Sequence, residues 1–312
     1  MAVEFSTTRE NKLEACRSAR ALAGQTFAVA LGELLKTEKP ISEAGLRDEW
    51  QQRLIEKREI FPEGWYISPP SKLNGSPHGI GTLFANEAKN KRVNYDSLRR
   101  PPNHPQENIY FDKKTGMMYV YASPVDRKTG MIGDWGGTFY IGNNPDIIER
   151  LKHCWEINRK IVDQIKVGMT FQDLTSIAFN LFEREGVYNE VLRTDTSQPG
   201  NIGHTVPASY EDWSNQEIDI LNKYKQDDPQ TWEAIYTLIS GKRKYIDPTE
   251  SLAIKPNMAF TLEPRLTIRN RQAEIPMSSF HGIVTIDGQG NIELLTNFQD
   301  TFELIMPYML EK

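Results

Sequence analysis

Cysteine is almost absent from the sequence: Cys16 and Cys154 are the only two in 312 residues, too few for a disulfide framework or a four-cysteine zinc site. A reducing, cytoplasmic setting is the expectation. Any apolar run long enough to span a bilayer is missing as well, and residues 1–11 are polar and charged rather than built like an export signal. No membrane partner is expected. Positive charge is not in excess either, with 37 Lys and Arg against 42 Asp and Glu for a formal net charge of −5. Without a basic field to meet phosphates, nucleic acid is not an expected partner. The glycines at 79, 81, 136 and 137 do not sit between a strand and a helix in dinucleotide-binding spacing, so no cofactor follows from them.

What is present fits a soluble globular chain, 38% hydrophobic and 25% charged, long enough to bury a substantial core. Over residues 12–35 the apolar Leu13, Cys16, Ala19, Ala23, Phe27, Ala30, Leu31 and Leu34 recur at threes and fours, which predicts a long amphipathic helix. Ser42 is placed as N-cap of a second helix carrying Leu46, Trp50 and Leu54, and an aromatic, β-branched strand is expected over 61–70. The same order returns later. Pro145 opens a helix through Ile148, Leu151, Cys154, Trp155 and Ile161, and Thr170 with Asp173 resembles a capping box ahead of Leu174, Ala178 and Phe182. An offset of 128 positions superposes Ser42 on Thr170 and brings His204 within two positions of His78. Strands are expected over 118–122, 138–141, 259–262, 283–286 and 293–296. Two such repeats predict an α+β fold with pseudo-two-fold symmetry and one site between its halves. The expected organisation is an N-terminal extension over 1–11 and a single domain over 12–312, with insertions near 86–112 and 215–245 that are candidates for the rim or lid of a pocket.

Five titratable residues stand at the ends of apolar or glycine-bordered stretches: His78, Asp134, His204, Glu263 and His281. Charges at strand ends cost burial energy unless they are paired, bound to a metal or used in chemistry. Cys16 and Cys154 fall on helical apolar stripes and are read as core, and His104 and His153 as incidental. The basic cluster of Lys89, Lys91, Arg92, Arg99 and Arg100 is diluted by Glu87, Asp96 and Glu107 and is read as a solvated loop.

The order and local wording of these residues resemble the pita-bread superfamily of methionine aminopeptidases, Xaa-Pro peptidases and creatinases, together with its non-catalytic binding relatives. The stretch 255–264, which ends in Leu262, Glu263 and Pro264, is the most specific piece and is similar to the one that delivers a metal-binding glutamate. Gly203 and His204 are similar to the family's ligand histidine, Gly133 and Asp134 ahead of Thr138 and Phe139 to its second aspartate, and His78 to its substrate-side histidine. The resemblance implies a pita-bread fold of helices packed on a curved antiparallel sheet. It also implies a small-molecule substrate and a homodimer.

Two departures bear on function. The family's earlier aspartate should lie about eleven positions before Asp134, near Ser123, where no carboxylate stands, although a shifted register would offer Asp126. His281 takes the place of the last glutamate. Losing two anionic ligands disfavours a pair of cations, which need bridging carboxylates to offset their repulsion. Creatinases resemble this pattern, and Glu263 and His281 stand eighteen positions apart as in that branch. The leading expectation is therefore a metal-independent, creatinase-like hydrolase of a C–N bond in a small nitrogen-rich substrate, with no cofactor. In it Asp134 and Glu263 hold a cationic nitrogen group, His78 shuttles a proton, and His204 and His281 orient and stabilise charge. Trp135, Arg193 and Arg265 are candidate substrate contacts, Arg265 because it lies two positions beyond Glu263 on its strand; a surface ion pair is the plainer reading of that arginine. The alternatives are a metal-dependent aminopeptidase-like hydrolase, or a mononuclear metalloenzyme with one zinc, manganese or iron on Asp134, His204, Glu263 and His281. A non-catalytic binding module comes last.

Overall fold

In the computed structural model, which describes residues 9–57, 59–61, 79–86, 92–98, 100–190, 200–206, 209–222, 234, 237–238, 241–268 and 276–310, the first apolar stripe becomes helix α1 (Arg9–Lys36). It starts inside the stretch expected to be an extension. Its Leu13, Cys16, Ala19, Ala23, Phe27, Ala30 and Leu31 are all buried, and Phe27 packs within 4.9 Å of Trp50, 5.1 Å of Trp135 and 5.9 Å of Phe139. Helix α2 (Glu43–Ile55) begins where expected, the Ser42 hydroxyl accepting from the Gly45 amide. Of the strand expected over 61–70, β1 (Ile60–Phe61) is the only described part.

The first half continues through β2 (Gly81–Asn86), β3 (Gly116–Ala122), the short β4 (Val125–Asp126) and β5 (Trp135–Tyr140), with β2, β3 and β5 forming an antiparallel sheet in that order. Register puts Tyr121 opposite Gly136 and Ala122 opposite Trp135. The second half repeats the plan. Pro145 opens α3 (Pro145–Val162) behind an Asn144 cap, and α4 (Phe171–Arg184) carries the complete capping box of Thr170 and Asp173. The buried face of α3 is Ile147, Leu151, Cys154, Ile157, Asn158 and Ile161, so Ile148 and Trp155 lie at its margin. Each N-cap also bridges a distant residue in extended pairing, Ser42 with Tyr110 and Thr170 with Ala253, which is the expected repeat in physical form.

Two further antiparallel sheets complete that half. One runs β6 (Val187–Asn189), β8 (Arg265–Ile268), β9 (Ser278–Ser279); the other runs β11 (Ile292–Leu295), β10 (Gly282–Ile286), β7 (Met258–Leu262). The halves are stitched together by the bridge between Gly137 and Phe280 and by the His281 amide donating to the Gly136 carbonyl at 2.9 Å. Helix α5 (Asn215–Asn222) falls in the expected insertion, whereas Trp232 and Ile235 lie outside the described residues. Helix α6 (Gln299–Ile305) closes the chain against α1. Among the described residues no helix is long and apolar enough to cross a membrane.

Candidate metal centre

Two glycines bring the site together. A Cβ at Gly133 would fall on the Ala19 carbonyl and the Arg20 amide, and one at Gly203 would fall on the Thr261 carbonyl. Backbone therefore packs on backbone immediately before Asp134 and immediately before His204. The chain around His204 is fixed further by its amide, which donates to the Thr261 hydroxyl at 2.9 Å, while the Glu263 amide donates to the Ile202 carbonyl at 2.8 Å. Asp134 ends the link into β5, Glu263 follows β7 and His281 precedes β10, so three strand ends point their last or next side chain at one place.

There Asp134, His204, Glu263 and His281 meet. His281 Nδ1 lies 3.1 Å from Asp134 Oδ1 and 3.0 Å from Glu263 Oε2, and its Nε2 is 3.0 Å from the Tyr119 hydroxyl. Both carboxylates only accept, so the Nδ1 proton is shared between them. Burial opposes a charge on His281, but Glu263 and Asp134 outweigh it and push the pKa up to about 9. Burial likewise raises Glu263, yet His281, then His204 and more distantly Arg243 hold it at about 2.

His204 shows what the other face of the carboxylates is built for. Its Nδ1 is 2.9 Å from the Thr205 carbonyl oxygen, an acceptor, so Nδ1 carries a proton and Nε2 is turned toward the two carboxylates. From Nε2 the distances are 3.7 Å to Asp134 Oδ2 and 3.6 Å to Glu263 Oε1. These are long for hydrogen bonds and close to the roughly 3.4 Å edge between ligands of a tetrahedral ion with bonds of about 2.0–2.2 Å. Donor atoms of Asp134, His204 and Glu263 all fall within 4.8 Å of one another, and a histidine held by its other nitrogen on a backbone carbonyl is the usual arrangement of a metal ligand. The residues fit one divalent cation. They do not fit two, because His281 already occupies the opposite carboxylate oxygens.

The expected gap near Ser123 stands, with a neighbouring tyrosine rather than a carboxylate reaching Asp134. Ser123 lies past the end of β3 with a buried hydroxyl that has no hydrogen-bond partner among the described residues, and the strand residue that reaches the site is Tyr121, whose hydroxyl donates to Asp134 Oδ2 at 3.1 Å. Asp126 does not rescue the missing carboxylate: its Oδ1 accepts from the Lys128 and Thr129 amides and the Thr129 hydroxyl in a turn. Trp135 is not a substrate contact. It is fully buried, donates its indole N–H to the Asn297 carbonyl at 2.9 Å and packs among Phe27, Trp50, Phe139 and Phe298. Arg265 is no surface ion pair either: it is buried, donates to the Tyr95 carbonyl and stacks 4.4 Å over that ring, in the aromatic wall behind Tyr119. His78 and Arg193 lie outside the described residues.

Tyr119 and Tyr121 escape sequence reasoning, although their i, i+2 spacing places both on one strand face. Arg20 escapes it too, as a charge on the apolar stripe of α1 between Cys16, Ala19 and Ala23.

The family model described as metallopeptidase family M24 matches residues 14–294. No curated protein matches the chain. Among solved structures, the chain is similar to an X-Pro aminopeptidase from Thermotoga maritima at 11% identity and a TM-score of 0.56, over 92% of this chain and 61% of that one. A methionine aminopeptidase from the same organism matches at 15% identity and a TM-score of 0.55, over 94% and 99% of the two chains. The N-terminal domain of FACT complex subunit SPT16 from chickpea matches at 12% identity and a TM-score of 0.57, over 96% and 61%. The chain thus spans about three fifths of the X-Pro aminopeptidase's length. At these identities the likeness establishes the α+β pita-bread fold and does not single out a creatinase-like branch.

Proposed function

The chain belongs to metallopeptidase family M24, and from that premise we propose that it hydrolyses a peptide-type C–N bond with one divalent cation held by Asp134, His204 and Glu263. The observation that carries this reading is the orientation of His204, with Nδ1 on the Thr205 carbonyl and Nε2 facing two carboxylates. A ring nitrogen turned on two anions asks for positive charge between them, which a divalent cation supplies. This revises the expectation of a site without a cofactor.

When bound, such an ion polarises the scissile carbonyl and lowers the pKa of a water molecule. The chain's own residues do the rest. Tyr121 fixes Asp134 Oδ2 by its hydrogen bond, and His281 holds the outer oxygens of both carboxylates so that Oδ2 and Oε1 converge. Glu263, with 18% of its side chain exposed against 0–6% for Asp134, His204 and His281, marks the open side from which substrate enters. Proton delivery to the leaving nitrogen is assigned to His78, as the sequence reading has it.

The test is chelation followed by calorimetric titration with manganese or zinc, alongside hydrolysis of a panel of short peptides with N-terminal Met or internal Pro. One equivalent of ion and ion-dependent cleavage are expected. His204→Ala and Glu263→Gln should weaken ion binding by more than the roughly 10–100-fold typical of outer-sphere partners. A second reading, hydrolysis of a guanidino compound without metal, is favoured by the His281 N–H seated 3.0 and 3.1 Å from both carboxylates, a built-in donor where a second cation would lie. Activity on such a compound in excess chelator, with no ion bound, would decide for it. Binding without turnover of either class would favour the non-catalytic module.

A further inference from the structure

Arg20 is fully buried, yet among the described residues its guanidinium donates to main-chain oxygens and to no carboxylate. One terminal nitrogen donates to the Asp134 carbonyl; the other donates to the His281 carbonyl and, at 2.7 Å, to the Thr296 carbonyl. The guanidinium also lies 5.4 Å from the centre of the Phe298 ring. A buried cation is costly unless it is well satisfied; here the two terminal nitrogens are satisfied by main-chain oxygens of three separate segments, two of which carry site residues, while Nε has no hydrogen-bond partner among the described residues.

We propose that Arg20 is a positioning residue: its planar fork sets the spacing between the Asp134 and His281 backbones, and through them the ion affinity of the site. The proposal rests on the single-ion reading above. The link through His281 is held at both ends of one residue, its N–H on the Gly136 carbonyl at 2.9 Å and its C=O on Arg20, while the preceding carbonyl, that of Phe280, accepts from Asn158 at 2.9 Å. The link through Asp134 is likewise restrained, because Gly133 is pressed on the α1 backbone at Ala19 and Arg20. Among the described residues, Arg20 is therefore the side chain that grips both strand ends, β5 from the first half and the approach to β10 from the second. A lysine offers a compact point charge in place of a planar fork and cannot hold the two carbonyls in the same geometry.

Manganese or zinc titrations of Arg20→Lys, Arg20→Met and a control, Leu181→Ala, test this. Leu181 is buried on α4, so the control lowers the thermal midpoint of the ion-free protein and leaves ion affinity unchanged. Arg20→Lys is expected to bind the ion about 10–100-fold more weakly while still folded, and Arg20→Met more weakly again. Wild-type affinity in folded Arg20→Lys overturns the proposal. If the wild type itself binds no ion, the single-ion reading falls, and the nitrogen-15 NMR signal of the His281 Nδ1–H in ion-free protein decides on Arg20. A slowly exchanging signal in the wild type that is lost in Arg20→Lys supports the positioning role; an unchanged signal overturns it.

Discussion

Helices α2 and α4 occupy the same place in the two halves, and their first residues solve one packing problem in opposite ways. Glu43 and Phe171 are both fully buried. Phe171 packs edge-on against Phe260 with ring centroids 5.4 Å apart. Glu43 instead accepts four hydrogen bonds: Arg92 Nε at 2.8 Å and the Phe84 amide at 2.7 Å on Oε1, Arg92 Nη2 at 2.8 Å and the Gln106 amide at 3.0 Å on Oε2. A repeated scaffold thus accommodates either an apolar plug or a saturated carboxylate at one position. The difference also changes the standing of the 86–112 segment. Arg92 is not part of a solvated basic loop; with Gln106 it anchors the described part of that segment in the interior of the first half. Lys89, Lys91 and Arg99 lie outside the described residues, and Arg100 pairs with Asp96.

The largest expected effects break each solution. Glu43→Ala removes the carboxylate partner of the Arg92 guanidinium, leaving it the Pro102 and His104 carbonyls, and orphans two amides, and should cost about 3–5 kcal/mol. Phe171→Ala should cost a similar amount, about 3–5 kcal/mol, through the cavity it leaves. Urea unfolding of both variants measures this, and a Glu43→Ala cost below about 1 kcal/mol would show that the carboxylate contributes no more than a surface pair. The two differ in coupling: removing Arg92 together with Glu43 should cost less than the two single changes combined, whereas Phe171→Ala and Arg92→Ala should be additive.

The next effect is a pH dependence at the seam between the halves, read in ion-free protein. Glu263 is held down at about 2 in the fold, so its contribution is present above the unfolded carboxylate pKa near 4.5 and is lost as pH falls toward 2. His281 is pushed up to about 9, so its contribution is full below about 6.5 and is lost as pH rises through 9. Stability should be greatest between about pH 4.5 and 6.5, and Glu263→Gln should flatten both limbs. Glu185, lowered to about 2 by His153 and Lys160, adds to the acid limb only, and Glu185→Gln separates its share. An unfolding midpoint that keeps rising up to about pH 9 would contradict the His281 assignment.

The smallest effect compares the caps. Thr170 and Asp173 satisfy each other's amides reciprocally, whereas Ser42 makes a single capping bond at 3.0 Å. Thr170→Ala should therefore cost about 1–2 kcal/mol and Ser42→Ala about 0.5–1 kcal/mol, measured by urea unfolding; equal losses would remove this distinction between the halves.

The helices and their caps are legible because their signals are local: periodicity at threes and fours, Ser42, Pro145, and Thr170 with Asp173. Four of the five titratable residues singled out do converge, because glycine-bordered strand ends leave a side chain little else to do but face the seam. What the count along the chain does not show is which side chain reaches across: the register that pairs Ala122 with Trp135 brings Ser123 level with Asp134, but β3 ends at Ala122 and the contact is made by the longer Tyr121, two positions back on the same face. Trp135 misleads because neighbours on a strand point to opposite faces, and Asp134 already faces the site. Arg20 is hidden by its surroundings: a lone charge on an apolar stripe looks like an interruption until the carbonyls it serves are placed around it.

Gly133 has no side chain, and for that reason it governs its neighbour. With helix α1 lying where a methyl group at residue 133 would have to go, any larger amino acid there would drive a wedge between helix and strand and lift Arg20 away from the three carbonyls it grips. Repairing the Asp134 carboxylate alone could not undo that damage. An engineer seeking to retune this centre should leave position 133 bare and work from the tyrosines instead.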